Sequence, residues 1–136
     1  MRKENWFEEL SAYLDRVRDK PFKWGEHDCC IFTGACVEAM TGVDYLAPYL
    51  GYKTKTGAKK ALKGITLLKT LTKLFGKPVP VACAHRGDIM YIVTDDGPCI
   101  GICLGETAVF VGREGSNEGL VTLPRADCSR AFRVEF

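Results

Sequence analysis

The segment best suited to chemistry lies at residues 24–30, which read Trp-Gly-Glu-His-Asp-Cys-Cys. Asp28 is a residue type that caps helices, and the residues after it predict a helix from residue 29 to residue 40. A cysteine in the first turn of a helix meets the positive end of the dipole and unpaired N–H groups, which favour the nucleophilic thiolate. Cys29 is therefore a candidate nucleophile, and the alternative is a buried structural thiol.

A cysteine nucleophile needs a base, and the chain contains two histidines. His27 lies two residues before Cys29 and is the local candidate, although the sequence offers no third group to orient its ring. The alternative for His27 is a surface or capping role. His85 precedes the first predicted strand, whereas Cys99 opens the second, so they lie at opposite ends of an antiparallel pair, roughly 20 Å apart. We expect His85 to be out of reach of Cys29.

The thiols themselves suggest other chemistry. The seven cysteines are odd in number and two are adjacent, so we expect a reduced, intracellular chain with mostly buried thiols rather than a disulfide scaffold. Cys29, Cys30, His27 and Cys99 are metal-ligand types, but adjacent cysteines lack the two-residue spacing of zinc knuckles. We expect no metal and no cofactor. A redox or metal-binding thiol module remains one functional hypothesis.

The elements that must position these residues are helical first and strand-forming later. Apolar spacing predicts further helices over 4–18, 56–62 and 66–75. After Pro80, short runs separated by turn residues predict strands over 88–93, 99–104, 107–112, 119–123 and 131–134, with a hairpin turn at 95–97. Cys99 and Cys103 share a strand face that we expect to pack on the helix. The sequence predicts an α+β fold, with N-terminal helices on a roughly five-stranded antiparallel meander.

Length and composition bound the class of protein. The chain has 136 residues, of which 46% are hydrophobic and 26% charged, so we expect one domain over 1–136 with a hydrophobic core. Its longest apolar runs fall short of the roughly 18 residues that a membrane-spanning helix needs. The first residues lack the apolar stretch of a secretory signal. We expect neither a membrane span nor a signal of that kind.

The charge is divided between two sectors. Residues 45–87 contain eight lysines and Arg86 but no acidic residue, giving +9, while the remaining residues carry −7. The lysine-rich segment 53–77 is either a solvated face or a docking surface for an acidic partner, with Leu67, Leu71 and Leu74 on its buried side. The lysines are not interleaved with aromatic residues and no nucleic-acid-binding motif is visible, so we expect no nucleic-acid partner.

The order of the motifs resembles the NlpC/P60 superfamily of papain-like cysteine peptidases, and more closely a small phage-borne branch found among tail genes. The motifs are Trp24-Gly25, Asp28-Cys29 at a helix start, Arg86-Gly87-Asp88-Ile89 at a strand start, and Ile100-Gly101-Ile102-Cys103-Leu104-Gly105 after the hairpin. The resemblance covers about residues 20–134. It implies a papain-like fold in which Cys29 is the nucleophile, Asp28 caps the helix and residues 86–88 are structural.

The chain departs from the family pattern at two catalytic positions. The family's histidine opens the strand after the hairpin, and Cys99 occupies that position here. The residue that orients the histidine lies on the following strand, where residues 108–111 read Ala-Val-Phe-Val and offer no polar side chain. The site candidates are thus Cys29, Cys99 and His27, and we expect Cys99 to lie close to Cys29 where an imidazole would stand.

The resemblance, with these departures, implies a non-catalytic domain that is a structural or docking component of a bacteriophage tail tip. Its partners would be other phage tail proteins, and its location the virion tail, assembled in the host cytoplasm. The alternative is an active cysteine peptidase or amidase that cleaves bacterial cell-wall peptides during phage entry. Trp24 and the tyrosines at 45, 49 and 52 either wall a peptide groove or pack in the core and loops.

Overall fold

The computed structural model describes residues 2–49, 66–95, 97–112 and 118–134. The described helices are α1 (Trp6–Val17), α2 (Cys29–Thr41) and α3 (Leu67–Phe75). The described strands are β1 (Ile89–Thr94), β2 (Gly97–Cys103), β3 (Thr107–Val111), β4 (Leu120–Pro124) and β5 (Arg130–Phe132). Helices therefore precede an antiparallel sheet, which confirms the predicted α+β class. The helix predicted at 56–62 and Tyr52 lie outside the described residues.

The sheet has the strand order β4-β3-β2-β1-β5, and every pairing is antiparallel. Strands β1 to β4 follow one another as a meander, as predicted. The prediction was wrong for β5, which returns to the far edge of the sheet and pairs with β1. This position places Phe132 opposite Ile89, where its ring is buried in the core instead of being left at the outer edge beside β4.

The two faces of the sheet bury different side chains. Ile100 and Ile102 point to the helices and pack in the larger core with Phe32 of α2. Cys103 lies in a smaller cluster on the opposite face, and Cys99 packs against that cluster. Cys99 and Cys103 thus share a face. The prediction that this face packs on the helix was wrong for Cys103, whereas Cys99 lies beside the first turn of α2. The strand alternation gives that role to the branched residues at 100 and 102, which bury more apolar surface.

A buried ion pair fixes the start of β1. The Arg2 guanidinium lies 3.1 Å from Asp88 Oδ1, and both side chains are almost completely buried. Asp88 also accepts hydrogen bonds from the backbone N–H groups of His85 and Val134, at 2.8 Å and 3.1 Å. Arg2 donates in turn to the carbonyl oxygens of Arg86 and Val134. Asp88 therefore ties both ends of the chain to β1, consistent with a structural role for the 86–88 motif.

Helix α3 carries the described part of the lysine-rich segment. Leu67 and Leu71 are buried, Leu74 packs partly buried against the core, and Lys69 and Lys73 are exposed. Within residues 66–77, the apolar and basic faces are therefore separated as expected. Among the described helices, none is both long enough and apolar enough to cross a membrane.

Candidate functional site

A tight turn leads into α2 and sets the position of Cys29. Lys23 and His27 pair through backbone hydrogen bonds of 3.0 Å and 2.8 Å, with Gly25 in the left-handed region at φ +78° between them. The buried Asp28 carboxylate accepts from the Gly25 N–H at 3.1 Å and from the Ile31 N–H at 3.0 Å. One side chain thus joins the turn to the helix, and Cys29 becomes the first residue of α2.

The Cys29 thiol faces the beginning of β2. It lies close enough to the Cys99 thiol, to the backbone of Ile100 and to its neighbour Cys30 for all three to lower its pKa. Cys99 lies opposite Ile92 in the β1–β2 register, and the Ile100 carbonyl oxygen is a further acceptor for its thiol, at 3.9 Å. The two cysteines that the sequence places in the site are therefore brought together.

A groove opens beside these thiols because β2 and β3 diverge. The two strands pair at Ile102 and Cys103, at the end of β2 away from Cys99. Gly101 lets them approach there, since a Cβ at this position would overlap the Val109 carbonyl oxygen. Further along, the strands separate around a cavity of about 470 Å³, which we call the Cys29 groove. It is lined by Phe22, Trp24, Cys29, Ile92, Thr94, Asp95, Gly97, Pro98, Cys99, Phe110, Val111, Gly112, Glu118, Val121 and Leu123.

The hydrogen bonds give the three neighbouring thiols different acidities. Donation from Cys30, then from Cys99, holds the pKa of Cys29 well below its ordinary value, and backbone donation from Ile100 acts in the same direction. The pKa values of Cys30 and Cys99 are raised, in each case first by the hydrogen bond to Cys29 and next by burial. Cys29 is therefore the most acidic of the three thiols.

His27 lies in the turn and packs against Phe32 of α2. Its ring meets the Phe32 ring edge to face, with 6.1 Å between centroids, and the residue is buried. Burial lowers the pKa of His27, and the charge of Lys20 lowers it further. Within the described part of the chain, Nε2 has no hydrogen-bond partner. The hydrogen bonds that set the Cys29 pKa come from other residues, so a role for His27 as base stays a prediction.

Of the other residues considered from the sequence, Trp24 lies in the Cys29 groove and the others lie elsewhere or are apolar. His85 is exposed and precedes β1, at the end of the β1–β2 pair away from Cys99, as expected. Residues 108–111 are buried and apolar. Trp24 lines the Cys29 groove and meets Phe22 edge to face at 4.9 Å. Tyr45 instead packs on Phe75, with 5.3 Å between ring centroids, and Tyr49 also packs against the core.

Two groove components were missed from the sequence. Phe22 stands two residues before Trp24. In an extended segment this spacing places both side chains on one side, so the sequence could have indicated that they form one wall of the groove. Phe110 lies opposite Val121 in the β3–β4 register, and its ring covers Gly101. The sequence alone could not place Phe110 in the groove, because its position depends on how β3 pairs with the neighbouring strands. Among residues 2–49, 66–95, 97–112 and 118–134, no cluster of three or more His, Cys, Asp or Glu side chains could hold a metal ion.

Comparison with known proteins supports the fold. The solved structure of the NlpC/p60 domain of the peptidoglycan hydrolase SagA superposes with a TM-score of 0.62 at 19% sequence identity. The match covers 93% of this chain and 97% of that one, so the two share an NlpC/P60-like fold. No curated protein sequence matches the chain. A family model matches residues 1–134, and the chain therefore belongs to DUF6950, described as a domain of unknown function.

Proposed function

We propose that this NlpC/P60-like domain binds peptide in the Cys29 groove without hydrolysing it, and serves as a structural or docking component of a bacteriophage tail tip. The observation that carries the first part is the Cys99 thiol, which lines the groove beside Cys29 where the family resemblance expects a histidine. The SagA domain, whose fold this chain shares, comes from a peptidoglycan hydrolase. Cell-wall peptide is accordingly the ligand class that we propose for the groove.

The chemistry of the thiol pair argues against hydrolysis. A general base must accept a proton and later return it near neutral pH, and an imidazole does so with a pKa of about 6.5. The Cys99 pKa is raised above that of an ordinary thiol, first by its hydrogen bond to Cys29 and then by burial, so Cys99 stays a donor. Losing general-base assistance typically costs 10²–10⁴-fold in rate. Cys29 can hold a negative charge, but the raised pKa of Cys99 makes that thiol a poor acid for protonating the leaving amine.

The walls of the Cys29 groove suit a peptide. Phe22 and Trp24 form an aromatic wall on one side, and Phe110 and Val121 form an apolar wall on the sheet. Asp95 and Glu118 also line the groove and supply carboxylates for a basic group of the ligand. A cavity of about 470 Å³ falls within the range of small-molecule sites and accommodates a few peptide residues.

The tail-tip role is supported by the resemblance to phage-borne members of the superfamily and by the charge distribution. Lys69, Lys73 and Lys77 are exposed at α3 and just after it, in a sector of the sequence without acidic residues. Such a face favours an acidic neighbour in an assembly, and its binding weakens with salt. We propose other phage tail proteins as these neighbours, and the virion tail, assembled in the host cytoplasm, as the location.

The decisive experiment is digestion of purified stem peptides and muropeptides, followed by mass spectrometry. The unmodified chain and Cys29→Ala should give the same background, while Cys99→His should gain hydrolysis because it restores an imidazole opposite Cys29. Hydrolysis by the unmodified chain that Cys29→Ala abolishes would contradict the proposal. It would support the second candidate, an active cysteine peptidase or amidase, which the lowered pKa of Cys29 favours.

The docking part needs its own test. Cross-linking of the chain to purified tails should decrease with ionic strength, and charge reversal at Lys69, Lys73 and Lys77 should reduce it. Charge reversal of acidic residues exposed on α1, such as Glu8 and Glu9, is the matched control and should leave cross-linking unchanged. Salt-independent attachment, or equal loss in both variants, would count against a basic docking face.

A further inference from the structure

We propose that Cys29 and Cys99 form a redox-active dithiol, which exchanges with a low-molecular-weight disulfide and closes as a Cys29–Cys99 bond. Both cysteines line the Cys29 groove from separate elements, the first turn of α2 and strand β2, and each thiol is close enough to shift the pKa of the other. This inference goes beyond the proposed function, because disulfide exchange requires neither peptide binding nor hydrolysis.

Access distinguishes this pair from the other thiols of the described chain. Cys29 and Cys99 are both partly exposed, and both line the Cys29 groove, a cavity of about 470 Å³. Apart from Cys30, the other cysteines are placed differently. Cys36 of α2 is buried in the larger core, and Cys103 and Cys128 are buried in the smaller cluster on the other face of the sheet. Cys83 is exposed. Among the described cysteines, a thiol that is partly exposed and has a second thiol from another element beside it is therefore found in the Cys29 groove.

The exchange proceeds in two steps. The Cys29 thiolate attacks one sulfur of the small disulfide, forming a mixed disulfide and releasing one small thiolate. Cys99 then loses its proton and attacks the Cys29 sulfur, forming the Cys29–Cys99 bond and releasing the second small thiolate. The protein gives up two electrons, which reduce the small disulfide to two thiols, and the two protons of the protein thiols end on those products.

The contact between the sulfurs also sets the order of events. Cys29 attacks first because hydrogen bonds from Cys30 and Cys99 hold its pKa low. The pKa of Cys99 is raised first of all by its hydrogen bond to Cys29, and burial follows as the second cause. When Cys29 enters the mixed disulfide, its negative charge is gone and this leading cause disappears. Cys99 then ionises more readily, at the moment when it must attack.

Cys30 is the competing partner, and the backbone disfavours it. Cys29 and Cys30 are consecutive residues in the first turn of α2. A bond between them would close a small ring through their own peptide unit, and this ring does not fit α-helical backbone angles. Cys99 approaches from another element, so its bond to Cys29 leaves the helix intact.

The test uses the full-length chain, reduced and then incubated with oxidised glutathione at neutral pH. Acid quenching, alkylation of the remaining thiols and peptide mapping by mass spectrometry locate every bond. We expect a Cys29–Cys99 cross-link in the unmodified chain and in Cys30→Ser. In Cys99→Ser we expect a stable glutathione adduct on Cys29 and near-complete loss of the internal bond. Cys83→Ser removes the exposed competitor and should leave the cross-link unchanged.

Three results would overturn the proposal: a Cys29–Cys30 bond, a persistent glutathione adduct on Cys29 in the unmodified chain, or glutathione confined to Cys83. If Cys99→Ser does not fold, the cross-link map of the unmodified chain and of Cys30→Ser decides the question. Because these readouts are covalent masses, they are independent of peptide hydrolysis. The proposed function can therefore fail while the dithiol is found, and the reverse also holds.

Discussion

Cys29, the first residue of α2, and Cys99 of β2 line the same groove, and the two thiols shift each other's pKa in opposite directions, that of Cys29 down and that of Cys99 up. In a peptidase the same position must remove a proton from the nucleophile, whereas a thiol with a raised pKa supplies one. At the position where the motif resemblance implies a base, the groove thus holds a thiol that keeps its proton, so the expected direction of proton donation is reversed. A low pKa of Cys29 therefore does not by itself make the groove hydrolytic.

The first prediction concerns the acidity of Cys29. Alkylation by iodoacetamide, followed against pH by peptide mass spectrometry, should show a midpoint for Cys29 below the roughly 8.5 of an unperturbed thiol. Cys99→Ala removes a donor to the thiolate and should move the midpoint upward. Cys83→Ala is the control and should leave it unchanged. If the midpoint stayed the same in Cys99→Ala, Cys99 would not be a cause of the lowered pKa of Cys29.

The second prediction concerns the cap that places Cys29. Asp28→Ala removes the acceptor for the Gly25 and Ile31 N–H groups, and should cost about 1–2 kcal/mol in the free energy of unfolding. It should also slow alkylation of Cys29, because the turn and the helix start no longer share an anchor.

The matched control for the cap is Thr66→Ala, which removes the side-chain cap of α3. It should cost a comparable free energy of unfolding, as measured by urea denaturation, and leave Cys29 alkylation unchanged. If both variants slowed Cys29 equally, the effect would be general loosening of the fold and not the local cap.

Local rules account for what the sequence predicted well. Asp28 caps the start of α2 and Gly42, in the left-handed region, ends it, so both ends could be placed without the rest of the fold. The contact of Cys29 with Cys99 was likewise predicted, but from the family resemblance of the motifs and not from spacing. Residues 86–88 were also assigned a structural role in this way.

Nonlocal pairing accounts for what the sequence did not predict. The position of β5 depends on which sheet edge accepts Phe132, and residues 131–134 carry no information about that choice. The face on which Cys99 and Cys103 lie depends on which side the helices cover, since alternation alone gives two equivalent faces. The partner of Arg2 lies more than eighty residues away in sequence, beyond any local pattern.

The third prediction concerns the Arg2–Asp88 pair. Asp88→Ala leaves a buried guanidinium without its counter-charge and also removes the acceptor for Val134. We expect a loss of about 3–5 kcal/mol in the free energy of unfolding, measured by urea denaturation. Asp15→Ala is the control, because Asp15 and Arg18 form an exposed pair at 3.9 Å, and it should change stability by less than about 1 kcal/mol. Similar losses in both would contradict the anchoring role.

The last prediction concerns His27 and pH. Burial lowers its folded-state pKa, with Lys20 adding to the effect, while in the unfolded chain His27 titrates near 6.5. The unfolded chain therefore binds the proton more readily. The contribution of His27 to stability is complete above about pH 6.5 and is lost as pH falls toward the folded-state pKa, with a slope of at most about 1.4 kcal/mol per pH unit.

Urea denaturation at a series of pH values between about 5 and 7.5 measures this slope, in a window where most carboxylates stay ionised. His27→Gln should flatten it, because glutamine does not titrate. His85→Gln, at the exposed histidine, should retain the slope of the unmodified chain. If His85→Gln instead removed the pH dependence of the free energy of unfolding and His27→Gln kept it, protonation of His27 would not be the cause of the lower stability in acid.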